Sequence, residues 1–157
     1  MFETVVIATD GSESAERAVD AALDLSERFD AALHALTVIE NSSETESDNG
    51  ENDTQQAKHA LDDLAARMDG DVHTVIKEGD PATVICSYAE QVDAGVVVTG
   101  TRGRNNPHGF HLGSVAEAVV HDCPVPVLTV RQLYSTAEPS DGDSSNAPTT
   151  DSNHEVL

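Results

Sequence analysis

Short, mostly apolar segments alternate with longer amphipathic ones along most of the chain, and this alternation limits the possible folds more than any other feature. The apolar segments are too short to be buried helices and are rich in β-branched residues, which predicts strands buried on both faces. The predicted strands are Thr4–Thr9, Ala32–Ile39, Val72–Lys77, Gly95–Thr99 and Val125–Val130.

Apolar residues recur at helical spacing between these strands, with acidic residues on the opposite side. Asp80 before Pro81 is typical of a helix N-cap and first helical residue. Ser114 with Glu117 three residues later has the pattern of a capping box. The predicted helices are Glu13–Phe29, Gln55–Met68, Pro81–Val92 and Ser114–His121.

This order of elements predicts an α/β fold with a single doubly wound, Rossmann-like sheet. With right-handed crossovers, five parallel strands take the order 3-2-1-4-5 and carry helices on both faces. We expect one domain over residues 1–131. Ser42–Thr54 contains no apolar residue, which predicts an acidic mobile loop within this domain, and residues 132–157 are predicted to be a disordered acidic tail.

Polar residues follow the first and fourth strands, the two places where such a sheet changes the direction of its strand order. Ligands of doubly wound folds bind at this switch point, beyond the carboxyl ends of the strands. Asp10–Ser12 follows the first strand and Gly100–Gly103 follows the fourth. The sequence therefore predicts a ligand site between these two segments.

The stretch Gly100–Ser114 has the properties of a phosphate-binding loop. Glycines let the backbone pass close to a ligand, and the helix that begins near Gly113 presents free N–H groups to an anion. Arg102 and Arg104 lie between the glycines, and they make this loop locally positive in a very acidic chain.

Within Gly100–Ser114, the spacing G-x2-G-x9-G-S resembles the G-x2-G-x9-G-[S/T] motif of ATP-binding universal stress proteins. The segments Ala8–Ser12 and Pro124–Val130 are also similar to that family. The resemblance extends over Met1–Arg131, apart from the Ser42–Thr54 insertion. It implies a nucleotide-dependent module of stress response and regulation.

The resemblance also implies ATP, bound with Mg²⁺, as the ligand. It places Asp10 near the adenosine, the backbone of Val38 against adenine, and Thr99 in the lining of the adenosine pocket. The residues that it assigns to ribose and phosphates are Gly100, Gly103, Gly113, Ser114 and the amide of Val115. Arg102 and Arg104 are added as candidate phosphate contacts because of their charge.

Each of these residues also has a purely structural interpretation. Asp10 could form only the Asx-turn that starts the first helix, and Ser114 could serve only as a helix cap. Arg102 and Arg104 could be solvated loop charges. A metal held by His108 and His111 is not predicted, because Pro107 and Gly109 prevent a helix that would place both rings on one face.

Three functions remain open at this point. The first is a nucleotide-binding regulatory protein, the second a slow ATP-hydrolysing enzyme, and the third a dimeric scaffold that does not use nucleotide. The chain has neither a G-x4-GK[ST] loop nor a dinucleotide G-x-G-x-x-G, so fast hydrolysis is not predicted, and no catalytic residue is assigned. The complete glycine motif argues against the scaffold.

The resemblance also implies a homodimer formed through the edge strand Val125–Val130, because an apolar sheet edge requires a cover. Cys86 and Cys123 do not form a CxxC pair, which argues against a zinc knuckle or a redox pair. Cys86 is predicted to lie in the core, and Cys123 in the core or an interface. Because no apolar stretch is long enough to span a membrane, we expect a cytoplasmic protein without membrane contacts.

The formal net charge of −21, from 29 acidic and 8 basic residues, argues against nucleic acid as a partner because phosphate backbones are repelled. We also expect a halophilic protein, because high salt screens the self-repulsion of such a charge. The alternative is an ordinary acidic protein with acidic tails. Thermal melts in low and molar KCl test this hypothesis. A higher melting temperature in molar KCl supports it, and equal temperatures contradict it.

Overall fold

A computed structural model describes residues 2–41, 49–102 and 111–132 and shows a five-stranded parallel sheet. The strand order is β3-β2-β1-β4-β5, which confirms the predicted doubly wound order 3-2-1-4-5. The strands are β1 (Thr4–Ala8), β2 (Ala32–Ile39), β3 (Val72–Glu78), β4 (Val96–Gly100) and β5 (Val127–Val130).

Within the described residues, four helices cover the two faces of the sheet, as predicted. A short 3-10 turn at Glu13–Ala15 leads into the first of them. The helices are α1 (Glu16–Phe29), α2 (Asn49–Ala66), α3 (Pro81–Gln91) and α4 (Ser114–Asp122). Helices α1 and α2 pack on one face, and α3 and α4 pack on the other.

The core consists of two apolar layers that share the central strands. In β1, Val5 and Ile7 point into the layer under α1 and α2, whereas Val6 points into the layer under α3 and α4. All three side chains are fully inaccessible to solvent. The central strands β1 and β4 are almost entirely apolar because they face a helix on each side, as buried parallel strands usually do.

Asp80 caps α3 as predicted, since its carboxylate accepts a hydrogen bond from the Thr83 amide at 3.0 Å and Pro81 is the first helical residue. The predicted capping box at Ser114 is wrong. The N-cap of α4 is Gly113, whose carbonyl accepts the first helical hydrogen bond from the Glu117 amide at 2.8 Å. Ser114 is the first residue inside the helix and does not cap it.

Helix α2 begins at Asn49, six residues before the predicted start at Gln55, so Asn49–Thr54 is helical rather than part of a loop. This first part of the helix is mostly exposed, and it therefore needs no apolar residue. The carboxylate of Glu51 in the first turn is favourable at the positive end of the helix dipole. Residues 42–48 of the predicted mobile loop and the predicted tail from residue 133 onward lie outside the described residues.

Strands β3 and β5 form the two edges of the sheet. Strand β5 starts at Val127 rather than Val125, directly after Pro126, which has no N–H to donate to a ladder. Leu128 on β5 is 39% exposed. In the part of the chain that the structure describes, no helix has the length and apolar character needed to cross a membrane.

Two histidines face α3 from neighbouring strands. His34 on β2 and His73 on β3 are paired in register, and their rings stack with centroids 4.6 Å apart. Nδ1 of His34 lies 2.7 Å from the hydroxyl oxygen of Tyr88 on α3, and Nζ of Lys77 lies 5.5 Å from the centroid of the Tyr88 ring. Burial, and secondarily the neighbouring His73, lowers the pKa of His34.

This cluster predicts a stability loss on acidification. Because the folded protein lowers the pKa of His34 below its ordinary value of 6.5, the unfolded chain binds more protons once the pH falls below that value. The contribution of neutral His34 to stability is complete above pH 6.5 and is lost as the pH falls through the lower, folded pKa. We expect His34→Asn to reduce the difference in unfolding midpoint between about pH 7.5 and about pH 5.5.

Chemical denaturation at both pH values measures this effect. His59→Asn, on the exposed surface of α2, is the control for removing a histidine elsewhere. The prediction is contradicted if the unfolding midpoint of His34→Asn changes between the two pH values as much as that of the wild type.

Candidate functional site

Strand β1 is shorter at its carboxyl end than both of its neighbours, and this leaves a notch in the edge of the sheet. Its last ladder partners are Leu36 on β2 and Thr99 on β4, both opposite Ala8. Strand β2 continues to Ile39 along β3, and β4 continues to Gly100 along β5. The notch lies at the predicted switch point of the sheet.

The backbone after β1 is fixed at the base of this notch. The Thr9 amide donates to the Leu36 carbonyl at 3.0 Å, and the buried Thr37 hydroxyl donates to the Thr9 carbonyl at 2.8 Å. The Gly11 amide donates to the Thr9 hydroxyl oxygen at 3.1 Å. These bonds fix the backbone at the start of the loop, and they therefore set the position of Asp10.

Asp10 forms the Asx-turn that the structural interpretation of this residue requires. Its Oδ1 accepts a hydrogen bond from the Ser12 amide at 2.9 Å and another from the Ser12 hydroxyl. The Ser12 hydroxyl oxygen also lies 2.8 Å from that of Ser14. The turn presents a half-buried, oriented carboxylate two residues after the end of β1, at the switch point of the sheet.

The other predicted adenosine contacts lie on the strands that flank the notch. Val38 is half-buried near the end of β2 and packs against the layer under α3 and α4. Thr99 is buried opposite Ala8. Gly100 ends β4, and a Cβ at this position would lie 3.3 Å from the Ser14 carbonyl oxygen. The structure therefore brings Asp10, Thr99 and Gly100 to the same edge of the sheet.

Two backbone hydrogen bonds bring the N-terminus of α4 to this edge. The Thr101 amide donates to the Val130 carbonyl at 3.1 Å, and the Gly113 amide donates to the Thr101 carbonyl at 2.7 Å. We call this pair of bonds the clasp. It places Gly113, Ser114 and the Val115 amide beside the end of β4, as the phosphate-binding interpretation requires.

The N-terminus of α4 is suited to an anion. Gly113 has no side chain, so the N-cap residue supplies no hydrogen bond to the first-turn N–H groups. Ser114 is exposed and Val115 is half-buried in this first turn. Free N–H groups and the positive end of the helix dipole together favour a phosphate or carboxylate.

The structure describes only part of the segment between Thr101 and Gly113. Arg102 lies directly after β4 and is half-buried. Gly103, Arg104 and His108 lie outside the described residues, so their predicted roles stay predictions. Within residues 2–41, 49–102 and 111–132, no group of three or more His, Cys, Asp or Glu side chains is arranged to hold a metal ion.

Sequence reasoning did not predict the contact between α2 and the loop after β1. An open groove of about 400 Å³ lies where the loop meets this helix, and it is lined by Gly11, Gln55, Gln56, His59, Ala60 and Asp63. Gly11 has a φ of +72°, and a Cβ built on it would lie 2.7 Å from the Ala60 Cβ. The small side chains at positions 11 and 60 allow this close approach, but no local pattern in the sequence connects the two residues.

Comparisons with known proteins agree with this fold. The model of the universal stress protein family matches residues 1–131. A universal stress protein of Methanocaldococcus jannaschii is 32% identical over 142 residues, which cover 84% of this chain and 84% of that protein.

Two solved structures are similar in fold and sequence. The universal stress protein UspA from Lactobacillus plantarum has a TM-score of 0.70 and 28% identity, covering 83% of this chain and 99% of that one. A universal stress protein in complex with cAMP has a TM-score of 0.65 and 28% identity, covering 83% of this chain and 97% of that one.

The contact between Gly11 and α2 predicts that Gly11→Ala is destabilising. The added methyl group overlaps Ala60, and alanine is disfavoured at positive φ. We expect a loss of about 2–4 kcal/mol in the free energy of unfolding. Urea denaturation measures it.

Gly50→Ala is the matched control, because a Cβ at this helical position of α2 meets no atom within 4 Å. Its stability should be unchanged or higher by up to about 1 kcal/mol. Equal stabilities of Gly11→Ala and the wild type would show that Gly11 and α2 are not packed as described.

Proposed function

The chain belongs to the universal stress protein family, and on this premise we propose that it is a regulatory protein that binds ATP at the notch beyond β1. The observation that carries the proposal is the clasp, which holds the uncapped N-terminus of α4 beside the end of β4, the strand that pairs with β1. In the proposal, an anion site and an oriented carboxylate share this edge of the sheet. A nucleotide has the matching parts, a phosphate chain and a ribose.

In this proposal the phosphates bind at the N-terminus of α4. The amides of Ser114 and Val115 and the hydroxyl of Ser114 donate to phosphate oxygens, and the absence of a side chain at Gly113 permits close approach. Arg102 adds positive charge from the end of β4. Gly103 belongs to the proposal only because the sequence motif assigns it to the phosphates, and Arg104 only because of its charge.

The adenosine occupies the notch itself. Asp10 accepts a hydrogen bond from the ribose, since a carboxylate is an acceptor for two hydroxyl groups. The backbone of Val38 contacts adenine where β2 extends beyond β1. Thr99 and Gly100 form the wall on the other side. The related structure in complex with cAMP supports an adenine nucleotide as the ligand class.

Magnesium enters this proposal only as the ion that accompanies ATP and neutralises its phosphate charge. The described donor set fits a nucleotide rather than a protein-held metal, because amides and a hydroxyl dominate it and Asp10 is its one carboxylate. Turnover of ATP is a separate question, which the appearance of ADP in the binding experiment answers. We propose a regulatory role because the sequence has no recognised hydrolysis motif.

We further propose a cytoplasmic homodimer that pairs β5 with its copy. Strand β5 is an edge strand, and Leu128 leaves an apolar side chain on it partly exposed. An unpaired apolar edge is prone to association, and pairing with an identical strand covers it. Sedimentation equilibrium tests this interface, and a monomer at every concentration contradicts it.

Titration calorimetry with ATP, Mg²⁺ and molar KCl tests the nucleotide site. We expect micromolar affinity, equivalent to about −8 kcal/mol, with ATP binding more tightly than ADP and ADP more tightly than AMP.

Ser114→Ala should weaken ATP binding about tenfold, since one hydrogen bond to a charged phosphate is lost. It should leave the unfolding midpoint unchanged, because Ser114 is not the N-cap. Gly113→Val should abolish binding by blocking approach to the amides.

Ser87→Ala, the same substitution on the exposed side of α3, is the matched control and should bind ATP like the wild type. The proposal fails if the wild type gives no binding heat and ATP does not raise its melting temperature. If Ser114→Ala instead lowers the free energy of unfolding and leaves the affinity for ATP unchanged, Ser114 only stabilises the helix.

A further inference from the structure

Two histidines lie side by side at the β3 edge of the sheet, near the amino ends of their strands. His34 and His73 are Cα partners in the parallel ladder between β2 and β3, so their side chains leave the same face of the sheet. This is the face under α3, because His34 contacts Tyr88 of that helix. The two rings are stacked, with centroids 4.6 Å apart and planes inclined at 30°. The fold therefore brings together two imidazoles that are far apart in sequence.

The spacing of the rings suits shared coordination of one metal ion. A bond from a metal to an imidazole nitrogen is about 2.0–2.1 Å long, so two imidazoles on one tetrahedral ion have ring centroids about 5 Å apart. The observed separation of 4.6 Å is close to this value. His73 is exposed, and exposed side chains change rotamer rapidly, so its ring can turn a nitrogen toward the ion.

Tyr88 makes a second, independent contact that fits a metal-bound histidine. Its hydroxyl oxygen lies 2.7 Å from Nδ1 of His34, and the residue is buried in α3. A histidine that binds a metal almost always donates its other ring N–H to a partner of this kind, which fixes the tautomer and the orientation of the ring. With the proton on Nδ1 and shared with Tyr88, the lone pair on Nε2 of His34 is available to a metal.

We propose that Nε2 of His34 and a ring nitrogen of His73 together bind one divalent transition-metal ion. Imidazole suits Cu²⁺, Ni²⁺ and Zn²⁺, among which Cu²⁺ binds most tightly, whereas Mg²⁺ and Ca²⁺ prefer oxygen ligands. No group of three or more His, Cys, Asp or Glu side chains is arranged around a metal in residues 2–41, 49–102 and 111–132, so water completes the coordination. The site depends on neither ATP binding nor dimer formation.

The charges around the pair indicate a reversible site. The net charge of −21 attracts cations to the protein as a whole. Lys77 acts in the opposite direction, because its Nζ lies 5.5 Å from the centroid of the Tyr88 ring and adds a positive charge to the same face. With two protein ligands and this nearby cation, the ion is held less firmly than in a structural zinc site, which has four protein ligands.

Titration of the metal-free, full-length protein with CuCl₂ tests the proposal. At about pH 7.5 most imidazoles are neutral and able to bind, and calorimetry gives the affinity while electron paramagnetic resonance identifies the ligand atoms. We expect the tightest binding step to show imidazole nitrogens on Cu²⁺ and to persist in excess Mg²⁺.

Three variants examine the assigned roles. His34→Asn and His73→Asn should each weaken the tightest step at least tenfold, because loss of a ligand costs no less than loss of a partner that orients one, about 10–100-fold. Tyr88→Phe keeps both ligands and the aromatic ring, and it should weaken the same step about tenfold. Since His73 is exposed, His73→Asn should keep the unfolding midpoint of the metal-free protein, which separates loss of a ligand from loss of the fold.

His59→Asn is the matched control, because it removes an exposed histidine beside Asp63 on α2 and should bind Cu²⁺ like the wild type. The proposal is overturned if His73→Asn binds Cu²⁺ as tightly as the wild type, or if the spectrum shows oxygen ligands alone. It is also overturned if His111→Asn removes the tightest step and His73→Asn does not. Unchanged affinity in Tyr88→Phe contradicts the orienting role of that residue.

Discussion

Strand β1 forms ladders with two neighbours at once, and both ladders stop at Ala8. The other features of the candidate site depend on this limit. Had β1 continued as far as β2, its backbone groups would have been used in pairing, and the edge of the sheet would have been level. Because β1 stops, the backbone leaves the sheet at Thr9, which is held by hydrogen bonds to Leu36 and Thr37. The polar turn that follows lies between two longer strands.

The proposed anion site lies in a strongly acidic protein, which requires the attraction to be local. Backbone amides at a helix N-terminus act over one turn of helix, whereas side-chain charges at greater distance are screened by salt. A chain can therefore carry a net charge of −21 and still offer a phosphate a favourable position. In high salt the distant carboxylates would matter even less than the nearby amides.

The sequence predicts the fold well because the strands are buried on both faces, and the segment Val96–Val98 is distinctive at sequence level for that reason. The start of α2 was missed because an exposed helical extension needs no apolar residue. The prediction that Ser114 caps α4 was wrong because Gly113 is the N-cap. A hydrogen bond from the Gly113 amide to the Thr101 carbonyl holds Gly113 extended, and no local sequence pattern encodes this bond. The contact of Gly11 with Ala60 depends on tertiary packing, which one sequence does not reveal.

The clasp has a consequence for how such a protein diverges. Its two hydrogen bonds tie Val130, Thr101 and Gly113 together through main-chain atoms only, so they do not depend on side-chain identity at these positions. Thr101 and Gly113 are held together although eleven residues separate them in sequence. Substitutions at Thr101 and Val130 can therefore accumulate while α4 stays in place, so the position of the helix is retained as the side chains around it diverge.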